Sequence, residues 1–194
     1  MTAVPSALSG SQPVRVEAVA CAGPCRAAVA AELMLAQCQC VIDSLSDAAY
    51  VAPSTVLPGG TVGKHVRHVL DHFAAALLAL DHPDTVIDYD HRERGTDVEG
   101  SRAAARSAIA AAREGLLRVD IRTGAARVRV LVMLASDGAC DTLESTLARE
   151  VAFAAHHGVH HYAMIGAIAR ELGVSPPEAF GKAPSTLNAE SITG

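Results

Sequence analysis

The sequence contains no tryptophan and only three tyrosines and three phenylalanines among its 194 residues. The apolar half of the chain is therefore mainly alanine, valine and leucine. This composition favours closely packed helices, because alanine has the highest helix propensity and lets helix axes approach. Charged residues make up only 19% of the chain, so a sizeable core can be buried and global disorder is excluded.

Long apolar runs and basic segments are also missing. No stretch of about 20 residues is both apolar and free of charge, so we expect no membrane span. The N-terminus lacks the basic segment that precedes the apolar part of a secretory signal, so we expect a cytoplasmic protein. The net charge of -5 argues against a general nucleic-acid binder, which needs a basic stripe to displace phosphate counterions.

Cysteine is present five times, and four of the five cysteines lie within twenty residues. Without an export signal, reduced thiols are expected. Cys21 and Cys25, or Cys38 and Cys40, could hold a metal or form a redox pair. Their spacings are not the usual CxxC, and Cys38 and Cys40 would point apart on a helix. The sequence leaves the role of these cysteines open.

Four segments have apolar residues at every third or fourth position, which predicts helices. They are residues 26–46, 61–80, 96–119 and 141–172. Thr61 is a predicted N-cap, and the pairs Thr96/Glu99 and Asp141/Glu144 have the spacing of capping boxes. In the first helix, the apolar positions are Val29, Leu33, Ala36, Val41 and Leu45.

The pattern changes between the third and fourth helices. Residues 127–134 are β-branched and partly alternating, and Asp137-Gly138 is a turn signal, so we predict a strand and one short hairpin. Gly173 and the following prolines end the last helix. The fold class is therefore mainly α: a four-helix bundle over residues 26–188, with a small β-hairpin between helices three and four, after an arm at residues 1–25.

Seven of the nine histidines form two clusters. They are His65, His68 and His72 on helix two, and His156, His157, His160 and His161 on helix four. His157 and His161 form an i, i+4 pair in the middle of an apolar stripe, where their ring nitrogens need partners. A metal ion supplies that need, and a third histidine from helix two would leave coordination positions open, as in catalytic sites.

Other interpretations of the histidines remain open. Buried histidines are often hydrogen-bonded core residues, and a run of histidines can form a solvated face. The sequence contains no HExxH motif, so it does not indicate a zincin-type protease.

Two segments carry a resemblance to a known family. The stretch 61–73 (TVGKHVRHVLDHF) and the stretch 157–161 (HGVHH), in a four-helix order, resemble the DinB-like (damage-inducible protein B-like) superfamily. Asp88-Tyr89-Asp90 with Arg92 and Arg94, and the tail 180–187 (FGKAPSTL), are similar to one bacterial branch of it. The resemblance covers roughly residues 30–188.

The resemblance implies an up-down four-helix bundle that binds a divalent ion (Zn, Ni, Mn or Fe) through His68, His157 and His161. The family includes thiol transferases that use mycothiol or bacillithiol, and its members are often homodimers. A helical wheel favours a different third ligand. On the wheel His68 points away from the centre of the apolar stripe of helix two, whereas His65 and His72 lie on its border. The sequence therefore leaves His65 or His72 as alternatives to His68.

We expect a metal-dependent enzyme acting on a small molecule, either a thiol S-transferase using a low-molecular-weight thiol or a hydrolase. The alternative is a non-catalytic bundle that senses a ligand or uses the metal structurally. Glu150 is a candidate base, or else a partner for a neighbouring arginine. Arg67 and Arg92 are candidate binders of an anionic substrate group, or else solvated surface residues. Asp71 is a candidate for orienting a histidine.

Overall fold

The computed structural model of the chain describes residues 23–91 and 95–193. These residues are mainly helical, with one small three-stranded sheet. The helices are α1 (Arg26–Asp43), α2 (Asp47–Val51), α3 (Val62–Asp81), α4 (Asp97–Gly100), α5 (Arg102–Leu117), α6 (Ile121–Gly124), α7 (Leu147–Glu171) and α8 (Pro184–Thr193). The strands are β1 (Val86–Asp88), β2 (Arg127–Met133) and β3 (Cys140–Thr146).

The four longest helices pack on one another around the core. Helix α3 contacts both α7 and α5, and α1 contacts the same two helices from the other side. The core between them includes Leu35, Phe73, Ile109 and Ile165, all fully buried. Because α3 is buried on two sides, a residue away from the centre of its apolar stripe can still face another helix.

The sheet covers one end of the α3–α7 pair. Strands β2 and β3 form the predicted antiparallel hairpin, with Arg127 opposite Thr146. Strand β1, which the sequence analysis did not predict, pairs parallel to β2, with Val86 opposite Arg129. Val128 and Val130 alternate toward the core. The sheet thereby brings the segment 86–90 and the hairpin beside α7.

Three of the four predicted helix starts, at residues 26, 61 and 96, agree with the structure, whereas the start of the last helix does not. The hydroxyl of Thr61 accepts a hydrogen bond from the backbone N–H of Lys64 at 3.0 Å, as predicted. The predicted third helix is divided: α4 ends at Gly100, and Ser101 caps α5. Glu99 does not complete a capping box on Thr96, whose side chain makes no capping bond. Instead Glu99 pairs with the Arg67 guanidinium on α3.

The start of the last helix was placed too early. Asp141 and Glu144 lie in β3, where pairing with β2 takes precedence over the capping-box spacing. Helix α7 begins at Leu147, and the hydroxyl of Thr146 accepts from the backbone N–H of Arg149 at 3.3 Å. Its end agrees with the prediction within one residue, since Gly173 adopts a φ of +78° that other residues rarely adopt.

The first helix also differs from its prediction. Helix α1 ends at Asp43, and Val29 and Leu33 are 45% and 57% exposed rather than part of the core. The buried face instead carries Ala28, Ala31, Leu35, Cys38, Val41 and Ile42. Small residues dominate the start of this face because α1 packs closely against two helices.

The chain ends differ from the predicted boundaries as well. Residues 1–22 of the predicted arm lie outside the described residues. The next three residues belong to the folded part: the backbone N–H of Cys25 donates to the carbonyl of Val119 at 3.2 Å. At the other end, α8 crosses the predicted boundary at residue 188. Within the described part of the chain, no helix combines the length and apolarity needed to cross a bilayer.

Candidate metal centre

Three predicted ligands converge between α3 and α7. One candidate ligand nitrogen from each of His68, His157 and His161 lies within 4.8 Å of the others. The Nε2 atom of His157 is 2.8 Å from Nε2 of His68 and 3.2 Å from Nε2 of His161. The structure therefore brings together the three histidines that the family resemblance selects.

Local packing explains why α3 presents His68 to α7. Helix α3 packs against both α7 and α5, so His68 can face α7 although it lies away from the centre of the apolar stripe of α3. Gly63 sets the approach of α4 to α3: a Cβ atom there would lie 2.1 Å from the carbonyl oxygen of Glu99. Only glycine allows this contact, which also brings Glu99 beside Arg67.

The donor set and its spacing fit a divalent metal ion. Imidazole nitrogen suits Zn, Cu, Fe and Ni. A tetrahedral ion with bonds of about 2.0–2.1 Å holds two ligand nitrogens about 3.3 Å apart. The separations of 2.8 and 3.2 Å between the Nε2 atoms are close to that value. Three lone pairs that face one another can be satisfied by one cation.

The electrostatics of the cluster keep His161 neutral. This side chain is 9% exposed. Burial, followed by the neighbouring His157 and His65, lowers the pKa of His161 to about 3. Burial and the neighbouring His160 also lower the pKa of His65. A neutral imidazole is the form that coordinates a metal, so His161 is ready to bind an ion at neutral pH.

The two alternative ligands lie beside the three converging histidines. Nδ1 of His65 is 2.9 Å from Nδ1 of His161. Nδ1 of His72 donates to the backbone carbonyl of His68 at 2.9 Å. The ring of His72 is stacked between Tyr89, at 5.0 Å, and His157, at 4.2 Å. Both side chains thus contact a predicted ligand directly.

Two cavities meet at the histidines. The larger one has a volume of about 600 Å³ and is lined by His68, His72 and His157. The rest of its lining includes apolar side chains of the hairpin and α7, namely Val130, Val132, Met133, Leu143 and Phe153, together with polar side chains such as Asp90, Glu144, Ser145 and Arg149. The smaller one, of about 430 Å³, is lined by His65, His68, His161 and the loop 57–60. Both volumes fall in the range of small-molecule sites.

Glu150 lies in the wall of the larger cavity and is fully buried. Its Oε1 accepts from the Ser145 hydroxyl and, at 2.8 Å, from the Arg149 guanidinium. Its Oε2 accepts from the Tyr89 hydroxyl at 2.9 Å. The neighbouring-arginine interpretation of Glu150 is therefore correct, and its predicted role as a base stays a prediction. Through Tyr89, this carboxylate also supports His72.

Tyr89 is a site residue that the sequence analysis quoted only as part of a family motif. Its hydroxyl contacts Glu150 and its ring stacks on His72. Burial and the nearby Glu150 raise the pKa of its phenol, so it acts as a hydrogen-bond donor. The parallel pairing of β1 with β2 positions it. A three-residue strand has too weak a sequence signal to be predicted.

Arg67 is engaged with two carboxylates rather than solvated. Its Nη1 lies 2.8 Å from Asp71 and its Nε lies 2.8 Å from Glu99, and only 11% of the side chain is exposed. Arg67 also lines the smaller cavity. Asp71, a candidate for orienting a histidine, accepts from this guanidinium. The predicted substrate binder Arg92 and its neighbour Arg94 lie outside the described residues.

The four described cysteines are free thiols. Cys25 and Cys38 are buried, and Cys40 and Cys140 are exposed. Burial raises the pKa of the Cys38 thiol to about 12, so this thiol stays protonated and unreactive. Cys38 and Cys40 therefore form no disulfide with each other, and Cys21, the possible partner of Cys25, lies outside the described residues.

Comparison with known proteins gives limited similarity. No family model matches the chain. Over 107 residues, the chain is 36% identical to FK506-binding protein 5 of Rhizopus delemar. The aligned part is 53% of this chain and 27% of that protein, so the chain spans about a quarter of this relative's length. This similarity does not assign a family, and the candidate function depends on the geometry of the histidines and cavities.

Proposed function

We propose that this chain is a DinB-like, metal-dependent enzyme that acts on a small molecule, with a divalent ion held by His68, His157 and His161. The observation that carries the proposal is the convergence of the Nε2 atoms of His68, His157 and His161 between two cavities of about 600 and 430 Å³. A purely structural ion would not need such a cavity beside it. A chain that buries a core of this size also needs no metal to fold.

The packing of the long helices supports the DinB-like four-helix bundle. Each of α1, α3, α5 and α7 contacts two of the others, which is the arrangement of a four-helix bundle. Histidines from the second and fourth of these helices in chain order, α3 and α7, face each other. This order is the one that the family resemblance implies for its metal ligands.

A divalent ion in this position would act as a Lewis acid and lower the pKa of a bound thiol or water. The residues of the chain would bind and orient the reactants. The apolar hairpin wall would exclude water from an apolar substrate, and Arg149, whose guanidinium lies 5.3 Å from the centre of the Phe153 ring, borders the same wall. The hydrogen bond that the Tyr89 hydroxyl donates to Glu150 and the stacking of Tyr89 on His72 would hold the histidine side of the cavity in place.

Thiol transfer fits this geometry better than hydrolysis. A transferase holds two organic reactants, and two cavities of about 600 and 430 Å³ share His68 as a common wall. A hydrolase needs room for one substrate and water. We therefore propose a thiol S-transferase first, with hydrolysis as the alternative reaction.

Metal analysis tests the first step of the proposal. Tag-free protein is reconstituted with Zn²⁺, Ni²⁺, Mn²⁺ or Fe²⁺ and its metal content is measured. We expect one divalent ion per chain, and a His157→Ala variant, which loses the central nitrogen, serves as the control. Occupancy near zero with every metal would refute the metal centre.

An activity assay tests the second step. Metal-loaded protein is incubated with a chlorobimane and a panel of low-molecular-weight thiols. Conjugation faster than with metal-free protein supports a transferase. Cleavage of esters or amides without conjugation would favour the hydrolase, and inactivity in both assays would favour a ligand sensor or a structural metal site.

A further inference from the structure

The two ring nitrogens of His161 face two different neighbours. Nε2 points to the converging histidines, 3.2 Å from Nε2 of His157. Nδ1 lies 2.9 Å from Nδ1 of His65, which is on α3 one turn before His68. A hydrogen bond between these two Nδ1 atoms requires that one of the rings carries its proton there.

The proposed metal centre decides which ring donates. A neutral imidazole has one proton, so a ring that coordinates through Nε2 carries that proton on Nδ1. We infer that His65 is a positioning residue for the candidate metal centre: its Nδ1 accepts the Nδ1–H of His161 and turns the Nε2 lone pair of His161 toward His68 and His157. This inference rests on the function proposed above.

The surroundings of His65 support a role directed at His161. Among the described residues, the ring of His65 makes its hydrogen bond with His161 through Nδ1. The Nε2 atom of His65 is buried without a partner among these residues. A Cβ atom on Gly60 would lie 3.2 Å from that Nε2, so the loop closes over the ring. A buried nitrogen without a partner costs stability. An apolar side chain at position 65 would avoid this cost. The presence of an imidazole instead indicates that its role is the hydrogen bond with His161.

A matched pair of variants separates hydrogen bonding from packing. In His65→Asn, Oδ1 takes the place of Nδ1 and can accept the same hydrogen bond. In His65→Leu, a side chain of similar size has no acceptor. Zn²⁺ affinity is measured by competition with a chelating dye. We expect His65→Leu to bind Zn²⁺ about 10–100-fold more weakly, as for other outer-shell partners of histidine ligands, and His65→Asn to stay close to the unmodified protein.

The control is His156→Leu, which changes an exposed histidine of α7, the helix that carries His161, and should leave Zn²⁺ affinity unchanged. Equal losses in the Leu and Asn variants would show that His65 acts only by packing, and no loss in either would show that it does not act. Both results overturn the inference.

A second measurement does not depend on metal binding. Long-range ¹⁵N–¹H NMR of the metal-free, unmodified protein reports which nitrogen of His161 carries its proton. We expect Nδ1, and a proton on Nε2 would overturn the inference. If the protein bound no zinc but showed this tautomer, the proposed function would fail while the role of His65 in orienting His161 would stand.

Discussion

Glu150 and His157 lie two turns apart on the same face of α7, yet the polar clusters around them are built in opposite ways. Three donors from the protein surround the buried carboxylate of Glu150, namely the side chains of Ser145, Arg149 and Tyr89. Around His157, by contrast, Nε2 atoms of His68 and His161 face its own Nε2. The first cluster is satisfied by the protein, whereas the second has the arrangement that a cation satisfies.

This difference separates stability from binding. A carboxylate that three side chains already engage contributes mainly to holding β1, the hairpin and α7 together. A set of neutral imidazoles that face one another contributes mainly to binding an ion. Changes in the two clusters should therefore affect different measurements.

The largest effect is expected for His157→Ala. This change removes the nitrogen that lies between the other two, and metal affinity should fall by about 3 kcal/mol or more, since zinc sites with four ligands bind with roughly 10–16 kcal/mol. Isothermal titration with Zn²⁺ measures the loss. Metal-free His157→Ala should unfold like the unmodified metal-free protein. A large loss of its stability instead would mean that the histidines are core residues held by hydrogen bonds.

Glu150→Ala should show the opposite pattern. Because the donors of Tyr89 and Ser145 lose a buried acceptor, the free energy of unfolding should fall by about 3 kcal/mol. Zn²⁺ affinity should fall by less than about tenfold, the low end of outer-shell effects. Urea unfolding and zinc titration together check this outcome. Tyr89→Phe is the milder control, with an expected loss of about 1 kcal/mol. A loss of metal binding without loss of stability would contradict the comparison.

The pH dependence of stability sharpens the same comparison. In the unfolded chain His161 has an ordinary histidine pKa of about 6.5, whereas in the folded, metal-free protein its pKa is about 3. Between these values the unfolded state binds more protons, so the free energy of unfolding should be greatest above pH 6.5 and fall as the pH decreases toward 3. Urea unfolding at pH 7.5, 6 and 5 measures the slope. The His161→Ala variant should have a shallower slope, and an equal slope would contradict the assignment.

The smallest effect concerns the start of α7, which carries both clusters. Thr146→Ala removes the N-cap and should cost about 1 kcal/mol of stability. Asp141→Ala, at the position that the sequence suggested as a cap, should change stability by less than about 0.5 kcal/mol, because Asp141 is an exposed residue of β3. Thermal unfolding of the two variants compares them directly. The reverse order would mean that the helix begins before Leu147.

Much of the fold could be predicted because its signals are local. The Thr61 cap, the stop at Gly173 and the Asp137-Gly138 hairpin depend on a few neighbouring residues, and the structure contains all three. The capping-box spacings at Thr96 and Asp141 were misleading, because tertiary partners engage the same residues. Glu99 binds Arg67, and Asp141 pairs in the sheet.

The residues of the candidate site could likewise be predicted only where the signal is local. The i, i+4 spacing by itself places His157 and His161 on one face of a helix, since helical geometry requires it. Which histidine of α3 joins them could not be read from the helical wheel. The wheel favoured His65 or His72, because it assumes that one apolar face of α3 is buried, whereas α3 packs against both α7 and α5.

By itself, the sequence determined the helical class, the hairpin and two histidine clusters, because composition and periodicity act through neighbouring residues. Only the tertiary structure decided that His68 meets His157 and His161, that Glu150 is engaged by three donors, and that Tyr89 joins the site from a short parallel strand. The contact of Tyr89 with Glu150 and those of His68 with His157 and His161 join residues 61 to 93 positions apart in the chain. Their geometry depends on how close α3, β1 and α7 pack, which no local sequence pattern encodes.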